Sequence, residues 1–447
     1  MYGSSGVLSS KYSLFFFLKL QMYEHNYNVI KEWLFQVYKA LENRNGGILA
    51  LLLSSKCDKL SRKNLYGFQE EVAQNLCRGS FAIFDKQLTS GFDQFFSDFV
   101  KLKVAIANFR SNMDDILKRA FRLVDLWLDI YLDDNLFDHH WLVPALYSLC
   151  NFTRTIGLVA DRCSSLSMDY LDNEFETDKD KYMKQVLNNV RSKMGRVRGD
   201  ESRHSAYIVL LAQSIKGCMQ LGNMQMAAGF LKAIESTNIN YKRALRVPLI
   251  NYRFYLGKLH MQYNEFLEAE EHLAWAFSNC LKDNIKARRE ILECLIVVRL
   301  QLGKVPPFPL MEKYNLPHYA QIVRYIITGD VSRYTDTVLK FFYEFVKEGT
   351  VLCVELLKYL AYRTLIRKTK TWWNTNVPSA KNNMLPVGVL TAAEKSQIPT
   401  TSNLHMLCTC SNLIVRGYIK GYVSWEKETI VFSTVQPFPK ISTCSFN

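Results

Sequence analysis

Apolar residues recur every three or four positions over most of this chain, and only near residue 420 does the pattern change to strict alternation. From Val29 to about Leu302 the helical spacing is almost continuous. Trp33, Val37 and Leu41 set a first stripe, which stops at Asn45-Gly46-Gly47. Phe92, Phe95, Phe99 and Leu102 give a second, Ile116, Phe121, Leu126 and Ile130 a third, and Trp141, Leu142, Leu146 and Leu149 a fourth. Helices of this kind bury their stripes against one another.

Between Ile208 and Leu281 the predicted helices come in pairs, broken at Gly222 and again at Asn238 and Asn240. Tyr252, Tyr255 and Leu256 lead to Gly257, and Phe266, Ala269, Leu273 and Ala276 form the return helix. Aromatic residues facing Gly and Ala let two helices cross closely, as in tetratricopeptide-like hairpins, although no strict period of about 34 residues is present. A right-handed stack of degenerate helical repeats is expected, with extended surfaces for partners.

The stack changes character at Val305-Pro306-Pro307-Phe308-Pro309, because proline removes donors and blocks helix continuation. A helix from about His318 to Thr328, a turn at Gly329-Asp330, and helices around Leu339 to Phe345 and Val351 to Lys370 follow. From Thr371 to Thr401, Trp372, Trp373, Asn374, Asn376, Pro378, Pro386 and Pro399 read as loop. Ser402 and Asn403 then cap a helix carrying Leu404, Leu407, Leu413 and Ile414. Gly417 to Trp425 alternates, turns at Glu426-Lys427-Glu428 and resumes through Thr429 to Phe432, a β-hairpin. A two-stranded hairpin is marginal alone, so it is expected to lie on that helix, giving a winged-helix module. The predicted fold class is therefore an all-α helical-repeat stack ending in a winged-helix subdomain. Its parts are a variable extension over 1–28, the stack over 29–304, and the C-terminal helices and wing over 305–447, with 371–401 loop-like.

Composition alters this picture in two places. The 447 residues, 48% hydrophobic and 22% charged, allow about two to four ordinary globular domains. The formal charge is +14, and residues 331–447 carry 14 Lys and Arg against seven Asp and Glu, so half the excess lies in a quarter of the chain. An acidic or phosphate-bearing partner is expected there. The eleven cysteines, among them Cys218, Cys280, Cys294 and Cys353, lie in helical segments without a CxxC pair, which fits reduced, buried thiols. Cys408 and Cys410 point to different faces and read as buried thiols rather than metal ligands. Leu14 to Leu18 is too short to span a membrane, which takes about 20 apolar residues, and Lys19 interrupts it. No membrane segment is predicted.

Candidate chemistry is confined to charge. There is no GxxxxGK[ST] loop, and His139 and His140 are adjacent, hence on divergent faces. No catalytic residue, metal or cofactor is predicted. The segment from Leu171 to Asp200, with Arg191, Lys193, Arg196 and Arg198 near its end, reads as a solvated loop or helix face. No acidic residue stands between Glu355 and Glu394, whereas Lys358, Arg363, Arg367, Lys368, Lys370 and Lys381 do. Arg363, Arg367 and Lys370 follow i, i+4, i+7 spacing on one helical face, and Arg416 and Lys420 lie at the start of the wing. Arg363, Arg367, Lys368, Lys370, Arg416 and Lys420 are the candidate nucleic-acid-binding residues, a surface able to neutralise several phosphates without sequence readout. The alternative is that these charges meet an acidic protein partner. Trp372 and Trp373 read as packing within the loop, with base stacking as the other reading.

The run from Tyr319 to Ile327, Gly329-Asp330, Tyr334 and Leu339, then Leu356 to Lys368 and the closing hairpin, resembles the PCI domain. That domain is shared by scaffold subunits of the proteasome lid, the COP9 signalosome, translation initiation factor three and the messenger-RNA export machinery. Tyr362 to Lys368, Ala269 to Phe277 and Gln436-Pro437-Phe438-Pro439 narrow the resemblance to the Thp-type PCI proteins of the nuclear mRNA export complex, of TREX type. It covers roughly Val29 to Thr443. The resemblance implies a non-enzymatic scaffold that pairs with a large Sac or germinal-centre-associated export scaffold and a small acidic Sem or Dss peptide. It also implies RNA or DNA contact through the basic winged-helix face, and residence in the nucleus at the nuclear pore of the nuclear envelope, with the cytoplasm as a second compartment. The other assignment is a protein-docking subunit of a lid, signalosome or initiation-factor assembly. One departure stands out: the family supplies a further helix where 371–401 reads as loop.

Overall fold

The computed structural model describes residues 27–77, 86–108, 112–133, 140–168, 181–237, 239–242, 244–377 and 382–441. All but the last two residues of the expected 1–28 extension, together with His139, Asn238 and Lys381, lie outside them, and Tyr27 and Asn28 are already helical. The chain forms two compact units, 1–252 and 253–447. The expected division at 304/305 falls inside the second unit, at the proline-bearing connection.

In the first unit, α1 (27–42) buries Trp33, Val37 and Leu41 as its stripe requires. The glycines that end it also begin α2 (Gly46–Leu52), because the Asn45 side chain accepts from the Ile48 N–H at 3.0 Å. Gly46 is obligatory there: a Cβ would lie 1.7 Å from the Trp141 carbonyl oxygen. After α3 (Arg62–Leu65) and α4 (Glu70–Cys77), α5 (Lys86–Asn108) presents Phe92, Phe95, Phe96 and Phe99 to Trp33 and to Trp127 of α6 (Met113–Tyr131). Phe95 and Trp127 lie 4.8 Å apart between centroids and Trp33 stacks on Phe99 at 5.9 Å, so an aromatic cluster forms this core. The buried face of α6 is wider than its expected stripe. Leu117, Leu123, Val124 and Trp127 are buried, while Phe121 and Leu126 are only half-buried.

By length and composition, His140–Ser164 is apolar enough to cross a membrane, a property the sequence reading passed over. Leu146, Leu149, Cys150 and Phe152 of this helix, α7 (Val143–Met168), are instead buried core residues. In α8 (Lys181–Arg198) Arg191, Arg196 and Arg198 lie on the exposed helix face expected of them, Arg196 reaching Asp129 at 2.5 Å, while Lys193 is buried and reaches Asp125 at 2.7 Å. Buried Lys103 donates to the Ser54 carbonyl (3.2 Å) beside the Phe152 ring, and burial lowers its pKa to about 8. The almost wholly buried α9 (His204–Leu221) ends at left-handed Gly222, and α10 (Met224–Glu235) follows.

The dividing point falls within α11 (Arg246–Gln262). In the second unit Gly257 meets α12 (Phe266–Asn279) so closely that a Cβ would lie 2.8 Å from Leu273 Cγ, the tight crossing its sequence predicts. Next come α13 (Ile285–Gln301) and the proline break, then α14 (Phe308–Lys313), α15 (Pro317–Thr328), α16 (Val331–Lys340), α17 (Phe342–Glu348) and α18 (Val351–Asn376). The Gly329-Asp330 turn works as expected: Gly329 is left-handed, and the Asp330 carboxylate caps α16 through the Arg333 N–H at 3.0 Å.

The stretch 371–401 is not a loop, which corrects the sequence reading. Trp372 and Trp373 continue α18, and β1 (Met384–Pro386) and α19 (Val387–Lys395) follow. The sheet is correspondingly three-stranded rather than a lone hairpin. After α20 (Asn403–Val415), capped by Ser402, β2 (Gly421–Ser424) and β3 (Thr429–Phe432) pair antiparallel, and β1 adds to β3 in the order β1-β3-β2. Leu385 opposes Ile430, and both are fully buried. Pro386 is tolerated because it sits on an edge strand and directly precedes a helix. The succession helix, strand, helix, helix, hairpin is the winged-helix topology. The face of α20 that packs is Met406, Leu407, Cys410 and Leu413; Leu404, expected there, is exposed.

Candidate nucleic-acid interface

A buried carboxylate fixes the three helices of the winged helix. Glu394 of α19 is fully buried and accepts from the Tyr362 hydroxyl of α18 at 2.8 Å, while His405 Nε2 of α20 lies 3.1 Å from the same hydroxyl. Burial first, and the Glu394 charge second, push the Tyr362 hydroxyl far above its ordinary pKa, so it remains a donor. With Glu394 buried, no exposed carboxylate remains on α18 beyond Glu355 or on α19.

Arg363 does not belong to the solvent face, contrary to the sequence assignment. It is 8% exposed, and its guanidinium donates from Nε to the Tyr418 carbonyl (3.0 Å) and from Nη2 to the Pro439 carbonyl (2.7 Å). The helical spacing is right, but the tail that follows the wing covers this face at Arg363 and leaves it open one turn later. The same tail is held by the Lys420 N–H on the Pro437 carbonyl (2.9 Å) and by Phe438 against Phe432 at 5.6 Å.

The other candidates divide. Arg367 is exposed and, among the described residues, has no ion-pair partner. Lys368 is exposed and gives one of its protons to the Thr328 carbonyl at 2.9 Å. Lys420 projects an exposed side chain at the base of the hairpin. Half-buried Lys370 lies 4.9 Å from the Phe432 ring centroid, where desolvation lowers its pKa, and Arg416 lies 4.6 Å over Tyr359. Arg367, Lys368 and Lys420 therefore face solvent, while Lys370 and Arg416 hold wing and helices together.

Between the end of α18 and α19 runs an open groove of about 620 Å³, lined by Trp372, Trp373, Gly388, Val389, Ala392 and Ala393, with Lys368 and Thr369 at its edge. Sequence reasoning missed it, together with Lys395 on α19 and Arg324 on α15, both exposed. Gly388, Ala392 and Lys395 follow i, i+4, i+7 spacing, a signal available only once α19 is recognised as a helix.

Fold and site together define a class: a helical protein closing in a basic winged helix. The chain is similar to proteins named PCI domain-containing protein 2. It is similar to the one from Xenopus laevis, 25% identical over 423 residues, which cover 93% of this chain and 98% of that protein. The Danio rerio protein of the same name is 24% identical over 422 residues, with 93% and 99% coverage. The Drosophila melanogaster homologue is 24% identical over 419 residues, with 93% and 100% coverage. No protein-family model matches the sequence.

Proposed function

We infer that this chain is a non-enzymatic scaffold subunit of a transcription-coupled messenger-RNA export complex at the nuclear pore, forming a nucleic-acid-binding platform with a large partner. The observation that carries the nucleic-acid part is the basic face of the winged helix, with Arg367, Lys368 and Lys420 in solvent, without ion-pair partners among the described residues, and no exposed carboxylate on α19 or the second half of α18. Such a face suits phosphate neutralisation without base readout. The partner part is supported by exposed apolar side chains along α16, α17 and the start of α18, where Leu339 (68%), Tyr343 (76%) and Leu352 (73%) stand in solvent with Phe342 and Val346 beside them. The Sac or germinal-centre-associated scaffold and the acidic Sem or Dss peptide are the expected occupants.

Two experiments test this reading. A tagged chain purified from nuclear extract should bring down the large scaffold and the acidic peptide; recovery of lid, signalosome or initiation-factor subunits in their place sinks the export assignment. The purified complex should bind single-stranded RNA with a salt dependence that flattens by about 0.7 in log–log slope for each phosphate that is no longer neutralised. The triple variant R367E/K368E/K420E should show that flattening, and an unchanged slope removes these cations from the interface.

A further inference from the structure

We propose that the groove between α18 and α19 is a stacking slot for an unpaired nucleobase, which makes the basic face selective for single-stranded nucleic acid. This rests on the nucleic-acid reading above and specifies its substrate class.

Trp372 is 56% exposed in the last turns of α18, beyond Thr369, the last buried residue of that helix. It lines an open, mostly apolar slot together with Trp373 and the small residues Gly388, Ala392 and Ala393. A Cβ on Gly388 would have nothing within 4 Å, so the space beside it is open. A flat ring exposed beside small residues offers a face for another flat ring.

Charge selects the kind of ring. Lys368 reaches the Thr328 carbonyl, and the Gln397 side chain, two residues past Lys395, donates to the Gly329 carbonyl (3.2 Å) and accepts from the Val331 N–H (2.8 Å). These contacts bring Lys368, which lines the slot, and the C-terminal end of α19, which carries Lys395, to the Gly329 turn; Arg324 of α15, one helical turn before Thr328, lines a separate groove with Phe308 and Ile327. Arg367 follows on α18, and among the described residues neither Arg324 nor Arg367 has an ion-pair partner. An apolar slot for a ring, with Lys368 in its lining and Arg367 and Lys395 exposed on the two helices that form it, fits a base followed by its phosphates. A base held in a duplex is stacked and unavailable, whereas a single strand offers it without the cost of unpairing.

The test is fluorescence anisotropy with the full chain and a labelled oligouridine of about 15 nucleotides, compared with a duplex of equal length. Trp372→Ala should weaken oligouridine binding about tenfold and leave duplex binding unchanged. Gly388→Leu, which fills the slot without touching any charge, should reproduce that loss. Circular dichroism and thermal melting confirm that both variants stay folded. Unchanged oligouridine affinity in both variants, with R367E/K368E still losing it, overturns the slot while leaving the charge reading intact. Absence of any RNA binding by the wild-type chain and its complex overturns both. If the same variants instead abolish binding of a polyglutamate peptide bearing one tryptophan while oligouridine affinity holds, the slot belongs to an acidic protein segment. A concentration-dependent dimer lost in Trp372→Ala assigns it to a second copy, and the proposal fails.

Discussion

One helical turn separates Arg363 from Arg367, and the two side chains have opposite fates. The tail carbonyls of Tyr418 and Pro439 enclose the first; the second is left in water. Spacing alone places both on one face of a helix and is silent about what covers each turn, so which of the candidate cations meet solvent was not legible in the sequence. The consequence is measurable. Arg363→Met leaves two buried carbonyls without a donor and should cost about 3 kcal/mol. Faster hydrogen exchange in β2 and β3 would locate the loss in the wing. Arg367→Met should leave stability within ~0.5 kcal/mol, as surface changes do. Equal destabilisation by the two variants contradicts this assignment.

At the scale of elements, the parts read correctly were those with strong local signals. The Gly329-Asp330 turn, the Ser402 cap, the crossing at Gly257 and the hairpin are each encoded by a few neighbouring residues. The stretch 371–401 was misread because its elements are short and locally contradictory. A strand of three residues ends in proline, and a nine-residue helix opens with Val387-Gly388, both poor helix formers. What stabilises them is tertiary: Leu385 against Ile430, and Glu394 against Tyr362 and His405. Tyr362→Phe should therefore destabilise the winged helix by about 2 kcal/mol, since it strips a charge-assisted hydrogen bond from a buried carboxylate. The double variant Tyr362→Phe with Glu394→Gln should recover part of the loss, because a neutral amide tolerates the missing donor better. Denaturant midpoints decide the matter, and a double variant as weak as the sum of its parts refutes it.

Across the described residues the cysteines divide by burial: seven are buried as their helical placement foretold, Cys57 is half-buried, and two are exposed. Burial pushes the Cys150 and Cys353 thiols up to about 12, whereas Cys163 and Cys408 are exposed. Cys408 departs from the expectation of a buried pair with Cys410, since residues two apart on α20 face opposite ways. A thiol reagent at neutral pH should label Cys163 and Cys408 within minutes and reach Cys150, in one unit, and Cys353, in the other, only after denaturant unfolds them. Mass spectrometry of labelled peptides reads this directly, and rapid labelling of Cys150 or Cys353 in the native protein would show those cores to be open.

The strap over Arg363 also imposes an order in time. Pro439 lies 76 residues beyond Arg363, so at ribosomal rates of ~5–20 residues per second the arginine waits about 4–15 s for its second carbonyl. The first acceptor, the Tyr418 carbonyl, comes 55 residues on, so the wing can fold before the tail completes the pair. A chain cut before Pro439 keeps only the Tyr418 carbonyl of the two that accept from Arg363.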